Sequence, residues 1–176
     1  LASNENPLGC SPLAVKAITA EMNQIGRYPD GNGFNLKHAI QQKFGFDLNR
    51  MTLGNGSNDI LELVARAFIA QGQSAVYSQH AFAVYPLAVQ AVGGLGIEVP
   101  AKNFGHDLDA MAAAITPNTK VVFIANPNNP TGTWFSRRVF ELFMAQVPES
   151  VLVVLDEAYV EYVTDDDFMN GFDYVN

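Results

Sequence analysis

Three polar segments follow short apolar runs in this sequence, and their side chains are of the kinds that bind small ligands. Asp156 and Tyr159 come after VLVVL, an Asn- and Pro-rich segment comes after VVFIA at residues 126–132, and GNGSND comes after Leu53 at residues 54–59. A carboxylate can meet a cation, an amide or a phenol can hydrogen-bond a polar atom, and glycines at a helix start can admit an anion. The three segments are therefore candidates for a ligand site.

Asp156 is the sharpest of these clues. A carboxylate directly after five buried apolar residues is costly unless a cation or several hydrogen-bond donors meet it. A metal ion could be that cation, but the histidines are scattered and no cluster of ligands surrounds the acid, so we predict no metal site; the histidines are His38, His80 and His106. The alternative interpretations are that Asp156 only caps a following turn and that Tyr159 only packs at the edge of the core.

Residues 126–132, which we call the Asn-Pro loop, are the most specific segment. Two prolines fix its backbone and remove two donors, so the loop is stiff and can hold an amide side chain in one position. The glycine segment is less specific, because Asn-Gly is also an ordinary turn and Ser57 or Asn58 an ordinary helix cap. It offers free N–H groups and the positive end of a helix dipole to a phosphate, yet it matches neither GxGxxG nor the P-loop.

The elements that must position these segments alternate along the chain. Ser11, Asp107 and Ser136 are candidate helix caps, and runs such as VVFIA and VLVVL are typical of strands buried on both sides. The alternation predicts an α/β fold, a three-layer sandwich with a mostly parallel sheet, whose ligands bind beyond the carboxyl ends of the strands. Apolar runs and helical periodicity predict strands at residues 74–78, 96–99, 120–125 and 151–155, and helices at residues 12–24, 34–44, 57–70, 82–91, 108–115 and 135–147.

The composition of the chain favours a globular domain and argues against several other classes of protein. The chain has 176 residues, 48% of them hydrophobic, and a net charge of −8, which is typical of a globular domain. The absence of a basic block argues against binding to nucleic acid or to an anionic membrane. No apolar run approaches the ~20 residues that span a bilayer. The lone Cys10 excludes an intramolecular disulfide and fits a reducing compartment, so we expect a cytoplasmic protein.

Six segments, in this order and at these intervals, resemble the pyridoxal-phosphate-dependent aminotransferases of the aspartate aminotransferase fold (fold type I), and among them the histidinol-phosphate aminotransferase family. The segments are NENP at residues 4–7, RYPDG at 27–31, GNGS at 54–57, FAVY at 82–85, PNNPTG at 127–132 and DEAY at 156–159. The resemblance implies a cofactor-binding large domain over residues 28–176, preceded by an arm and helix, residues 1–27, that belong with the small domain.

The resemblance also implies an activity. It implies a cytoplasmic homodimer that transfers an amino group between glutamate and imidazole-acetol phosphate during histidine synthesis, with pyridoxal 5'-phosphate as cofactor and amino acids and keto acids as substrates. Asp156 would partner the protonated pyridine nitrogen, Asn129 and Tyr159 would hydrogen-bond the phenolic oxygen of the ring, and Phe82 would stack on its face.

Four further residues receive roles from the same resemblance. Ser57 and Asn58 would hold the cofactor phosphate at a helix N-terminus. Tyr28 would reach the phosphate of the neighbouring subunit's cofactor, and Asn6 would lie near the substrate.

The family's Schiff-base lysine lies a few dozen residues beyond the DEAY segment, whereas the last lysine of this sequence is Lys120. The family's substrate-binding arginines and its carboxyl-terminal small domain are also missing. We therefore expect a fragment of a longer enzyme that does not transaminate by itself. Two alternatives stay open: another fold type I enzyme, such as an aromatic aminotransferase or a threonine-phosphate decarboxylase, and a non-catalytic α/β module that binds a nucleotide or a protein.

Overall fold

The computed structural model describes residues 4–175, which form two compact units divided between Met51 and Thr52. The first unit holds two helices, α1 (Pro12–Glu21), which continues into a 3₁₀ turn at Met22–Gln24, and α2 (Phe34–Phe44). Both helices were predicted. Ser11 precedes α1 as expected but makes no capping hydrogen bond; the first turn is exposed, so water can satisfy its N–H groups.

The second unit is an α/β sandwich around four parallel strands in the order β2-β1-β3-β4. This confirms the predicted fold class. Because β2 and β3 lie on opposite sides of β1, the chain reverses its direction across the sheet there, and ligands of open α/β sheets bind at such a reversal. In chain order the elements are α3 (Gly56–Phe68), β1 (Ser74–Ser78), α4 (Val84–Ala91), β2 (Leu95–Val99), α5 (Leu108–Ala113), β3 (Thr119–Ala125), α6 (Arg137–Met144) and β4 (Leu152–Asp156).

Alternate residues of the central strands enter two separate cores. Val121 and Phe123 of β3 pack with α3 and α4 in what we call the α3–α4 cluster. Val122 and Ile124 pack with α5 and α6 in the α5–α6 cluster. All four of these side chains are fully buried, so β3 is covered on both faces as its sequence predicts.

The strand β4 differs from its prediction in two respects, its burial and the position of Asp156. Its residues are only half-buried, although VLVVL predicts a strand buried on both sides. The reason is its position, because within residues 4–175 β4 pairs with β3 alone and forms an edge of the sheet. Asp156 is the last residue of this strand and lies opposite Ala125 in the register, whereas the sequence predicted it just beyond the strand.

The starts of α5 and α6 can be compared with the predicted ones. The helix predicted from residue 135 begins at Arg137, because Ser136 has an extended backbone with ψ 165° and forms a β-bridge with Phe168. Asp107 caps α5 as predicted, accepting from the next turn, whereas Ser136 precedes α6 without a capping bond. Within residues 4–175 no helix combines the length and the apolar character needed to cross a membrane.

Candidate active site

A small cavity opens where β1, β3 and β4 end. Its volume is about 50 Å³, below the roughly 300 Å³ or more that is typical of a small-molecule pocket. Five of the residues singled out from the sequence line it together, although they come from four separate segments. The lining residues are Ser57, Phe82, Ala125, Pro127, Asn129, Asp156, Ala158 and Tyr159.

The carboxylate of Asp156 has two hydrogen-bond donors, and no cationic side chain pairs with it among residues 4–175. Its Oδ2 accepts from Oη of Tyr85 at 3.1 Å, and its Oδ1 accepts from the N–H of Ala158 at 3.3 Å. In the described part of the chain no Lys, Arg or His side chain forms an ion pair with it; ion pairs there include those of Arg66 with Glu62 and Arg137 with Asp173. The acid therefore lines the cavity with capacity left for a cationic partner.

Tyr85 also belongs to the site region, although no pattern in the sequence assigned it a role. It lies three residues after Phe82, about one helical turn, a spacing that places two side chains on the same side. That spacing could have marked it as a neighbour of Phe82, but its bond to Asp156 joins residues 71 positions apart and depends on the fold.

The asparagines of the Asn-Pro loop divide into two kinds. Asn126 is buried and bonds the backbone of Phe135 in both directions, accepting at 3.1 Å and donating at 3.4 Å. Asn128 is also buried, and its Nδ2 donates to the carbonyl oxygen of His80 at 2.9 Å. Asn129 is half-buried and lines the cavity, and its side chain has no hydrogen-bond partner among residues 4–175. The first two hold the loop and leave the third available to a ligand.

The first turn of α3 borders the same cavity through Ser57. The helix begins at Gly56, whose φ is +71°, a conformation that favours glycine. Ser57 and Asn58 are therefore inside the helix and are not its caps. The N–H of Asn55 donates to Oδ2 of Asp59 at 2.8 Å, whereas the N–H groups of Ser57 and Asn58 have no partner among the described residues. Asn58 is exposed and does not line the cavity.

Phe82 and Tyr159 complete the described wall. Phe82 lies between β1 and α4, half-buried against the α3–α4 cluster. Tyr159 follows β4, with its ring centroid 6.4 Å from that of Tyr162. An aromatic face and a phenol thus border the cavity beside the Asp156 carboxylate.

Asn6 and Tyr28 belong to the first unit, so their predicted roles stay predictions. Asn6 forms a local turn, in which its Oδ1 accepts from the N–H of Leu8 at 3.0 Å and its Nδ2 donates to the carbonyl of Gly9 at 3.1 Å. Tyr28 is wholly exposed.

A larger cavity of about 240 Å³ lies between residues 102–106 and 133–135, away from the predicted site residues. His106 lines it, with Nε2 bonded to the carbonyl of Ala125 at 2.9 Å. Burial lowers the pKa of His106, and the bond to Ala125 opposes that shift. Among residues 4–175 no group of three or more His, Cys, Asp and Glu side chains could hold a metal ion.

The sequence matches the family profile of Aminotransferase class I and II over residues 1–174. The chain belongs to this family. Among curated members it is 61% identical to histidinol-phosphate aminotransferase 2 of Pseudomonas aeruginosa over 99% of this chain and 47% of that protein. It is 57% identical to histidinol-phosphate aminotransferase 2 of Hydrogenovibrio crunogenus, over the same shares of the two chains. The chain thus spans about half the length of the curated aminotransferases it matches.

Solved aminotransferase structures share the fold. The histidinol-phosphate aminotransferase of Sinorhizobium meliloti, in complex with pyridoxal-5'-phosphate, superposes with a TM-score of 0.89 at 29% identity, over 94% of this chain and 46% of that one. A mutant aspartate aminotransferase of Thermus thermophilus superposes with a TM-score of 0.86 at 22% identity, over 97% of this chain and 50% of that one. The second unit accordingly has the architecture of a fold type I large domain.

Proposed function

We propose that the whole protein is a pyridoxal-phosphate-dependent aminotransferase that transfers an amino group between histidinol phosphate and 2-oxoglutarate. The observation that carries the proposal is the set of Asp156, Asn129, Tyr159, Phe82 and Ser57 around one cavity. The 61% identity to a histidinol-phosphate aminotransferase supports the substrate. The pyridoxal-5'-phosphate in the Sinorhizobium meliloti complex supports the cofactor.

Asp156 fits the pyridine nitrogen of this cofactor on chemical grounds. The Asp156 carboxylate is half-buried and accepts a hydrogen bond at each oxygen, but among residues 4–175 no cationic side chain pairs with it. Because a buried charge is costly unless it is paired, a cationic ligand group would stabilise this carboxylate. A protonated ring nitrogen is such a partner. When bound, pyridoxal phosphate serves as an electron sink for the α-carbon of the substrate. The task of Asp156 is therefore to keep the proton on the ring nitrogen.

Asn129, Tyr159 and Phe82 fit the rest of the ring. The unpartnered amide of Asn129 and the phenol of Tyr159 can both donate to a phenolic oxygen, and Phe82 can cover one face of the ring and exclude water from it. Because the Asn-Pro loop is held by its buried asparagines, Asn129 presents its amide in a fixed place.

The first turn of α3 fits the cofactor phosphate. Ser57 and Asn58 offer two N–H groups that have no partner in the described part of the chain, Ser57 adds a hydroxyl, and the helix dipole favours a negative charge at this end. The carboxylate of Asp59 is engaged by the N–H of Asn55. In this proposal Ser57 and Asn58 anchor the phosphate.

The proposal extends to a cytoplasmic homodimer in which Tyr28 reaches the phosphate of the partner subunit's cofactor and Asn6 lies near the substrate. Support for Tyr28 comes from its complete exposure, which leaves the phenol accessible to another subunit. The exposed free thiol of Cys10 suits a reducing compartment.

The test uses the whole natural protein, reconstituted with pyridoxal 5'-phosphate and supplied with 2-oxoglutarate. We expect glutamate to form with histidinol phosphate as donor, far faster than with phenylalanine or aspartate. A preference for phenylalanine would support an aromatic aminotransferase instead, and release of CO₂ from threonine phosphate would support the decarboxylase. If the protein develops no absorbance band of bound pyridoxal 5'-phosphate, it is none of these enzymes, and the proposal fails.

A further inference from the structure

Tyr85 is a completely buried phenol whose hydroxyl reaches the site acid. It lies in the first turn of α4, has no exposed surface, and donates to Oδ2 of Asp156 at 3.1 Å. A buried hydroxyl is costly without a partner, and this one bonds a cavity-lining carboxylate on β4. The bond therefore connects the core beneath the site to the site itself.

The ring of Tyr85 is held on two sides. It stacks on Phe123 of β3, with centroids 5.2 Å apart and planes 9° from parallel. It also meets Phe82 edge-on, with centroids 6.0 Å apart and planes at 90°. Since Phe123 belongs to the buried central strand, the position of Tyr85 is fixed by the sheet, and Tyr85 in turn contacts two residues of the candidate site.

The direction of the hydrogen bond is also fixed. Burial raises the pKa of Tyr85, and the charge of Asp156 and the bond to it raise the pKa further. The phenol therefore keeps its proton at all physiological pH values and acts only as a donor to Oδ2. With Oδ1 accepting from the backbone of Ala158, the plane of the Asp156 carboxylate is set at both oxygens.

We propose that Tyr85 is a positioning residue, which fixes the Asp156 carboxylate in the orientation that receives the ring nitrogen of the cofactor. The proposal rests on the function proposed above. It assigns Tyr85 no contact with the cofactor, because Tyr85 is fully buried and does not line the cavity. Its effect passes through Asp156.

The test is the variant Tyr85→Phe in the whole natural protein, which keeps both ring contacts and removes only the hydroxyl. We expect the dissociation constant for pyridoxal 5'-phosphate, measured by fluorescence quenching, to rise roughly tenfold, as for loss of one hydrogen bond to a charged group. Tyr77→Phe is the matched control. Tyr77 is buried in the same α3–α4 cluster but does not bond Asp156, so its variant should bind the cofactor like the wild type.

A double-mutant cycle separates positioning from a general structural effect. If Tyr85 acts through Asp156, Tyr85→Phe should have little further effect on the dissociation constant in an Asp156→Asn background. Equal effects in both backgrounds, or wild-type affinity in Tyr85→Phe alone, would overturn the inference and leave the proposed function intact. A wild-type protein that does not bind the cofactor would overturn both.

Folding is checked on the same samples without cofactor. Thermal unfolding midpoints of Tyr85→Phe and Tyr77→Phe should agree within a few degrees. Should Tyr85→Phe unfold much earlier, 3-fluorotyrosine at residue 85 replaces it, since this keeps the ring and its hydroxyl, replaces one ring hydrogen with fluorine and makes the hydroxyl more acidic. Two quantities are then measured in this variant: the dissociation constant for pyridoxal 5'-phosphate and the ¹⁵N chemical shift of its labelled ring nitrogen. If both are unchanged, the inference is overturned. If both change, and neither changes with 3-fluorotyrosine at residue 77, the inference is supported.

Discussion

The amide of Asn128 joins two loops of the candidate site, because its Nδ2 donates to the carbonyl oxygen of His80 at 2.9 Å. The same Nδ2 donates to Oγ1 of Thr131 at 2.6 Å. One bond crosses from the Asn-Pro loop to the loop that carries Phe82, and the other closes the Asn-Pro loop on itself. The two cavity-lining residues Asn129 and Phe82 thus have their loops fixed to each other.

The first prediction concerns Asn128→Ala. The substitution leaves the carbonyl of the half-buried His80 without this donor, and such losses cost about 1–3 kcal/mol. The free energy of unfolding from urea titration should fall by that amount. Asn118→Ala, at an exposed turn whose side chain makes no hydrogen bond among the described residues, is the control. Equal stability of the two variants would contradict the structural role of Asn128.

The second prediction concerns Asp156 in the whole protein. Asp156→Ala removes the proposed counter-ion of the cofactor's ring nitrogen, and breaking a buried ion pair costs ~3–5 kcal/mol. Turnover should fall of order a hundredfold or more if that energy is expressed in the transition state. Asp156→Asn should be nearly as harmful, because an amide cannot hold the proton on the ring. Wild-type turnover in Asp156→Asn would show that the acid has another role.

The third prediction concerns Tyr28. A phenol that donates to a phosphate makes a charge-assisted hydrogen bond worth ~1.5–3 kcal/mol, so Tyr28→Phe should weaken cofactor affinity by roughly ten- to a hundredfold. Because Tyr28 is exposed, the fold should be unaffected. Fluorescence titration with pyridoxal 5'-phosphate measures the affinity, and circular dichroism checks the fold.

The action of Tyr28 across subunits has its own measurement. In heterodimers of Tyr28→Phe and Asp156→Ala subunits, action in trans puts both lesions in one site and leaves the other whole. About half of wild-type activity per heterodimer should then return. Activity near the mean of the two mutants would place Tyr28 at its own subunit's cofactor.

The fourth prediction concerns pH. Burial raises the pKa of Glu157, whose Oε1 accepts from the N–H of Gly171 at 2.7 Å; that bond opposes the shift, and nearby carboxylates add to it. The folded protein therefore holds this proton more tightly than the unfolded chain. Above about pH 4.3, the pKa of an unperturbed Glu, stability should fall as pH rises through the folded-state pKa.

Glu157→Gln removes that titration and keeps an acceptor for Gly171. Urea unfolding from pH 4 to 8 should show a smaller loss of stability with rising pH in Glu157→Gln than in the wild type. Glu149→Gln, which removes an exposed charge, is the control. The attribution to Glu157 would be wrong if the two variants had the same pH profile.

Apolar periodicity predicted the order of helices and strands but not all of their ends. It placed α2 correctly at residues 34–44 from the spacing of its apolar residues, and in the structure Gly33 and Gly45, both with left-handed backbones, flank this helix. It began α6 too early, because no local pattern shows that Ser136 is extended and forms a β-bridge with the distant Phe168. It also predicted full burial of β4, since an edge strand and a central strand of this composition look alike in sequence.

The part of the candidate site that follows directly after strands could be predicted from residue types and from the positions of the strand ends. Asp156 and Asn129 were found because each follows an apolar run, and parallel strands end at one edge of a sheet. Tyr85 was not assigned a role, because its hydroxyl meets Asp156 only after α4 has packed on the sheet. The roles of Asn6 and Tyr28 rest on resemblance alone.

The division of β3 between two cores also limits how the gene can change. Deleting or inserting one residue within Thr119–Ala125 would exchange the side chains of Val121 and Phe123 with those of Val122 and Ile124 between the clusters. Inserting two residues would preserve the faces but move the Asn-Pro loop about 6.6 Å along the strand, away from Asp156. Natural length variation in relatives should therefore be found in the surface turns and be absent from this strand.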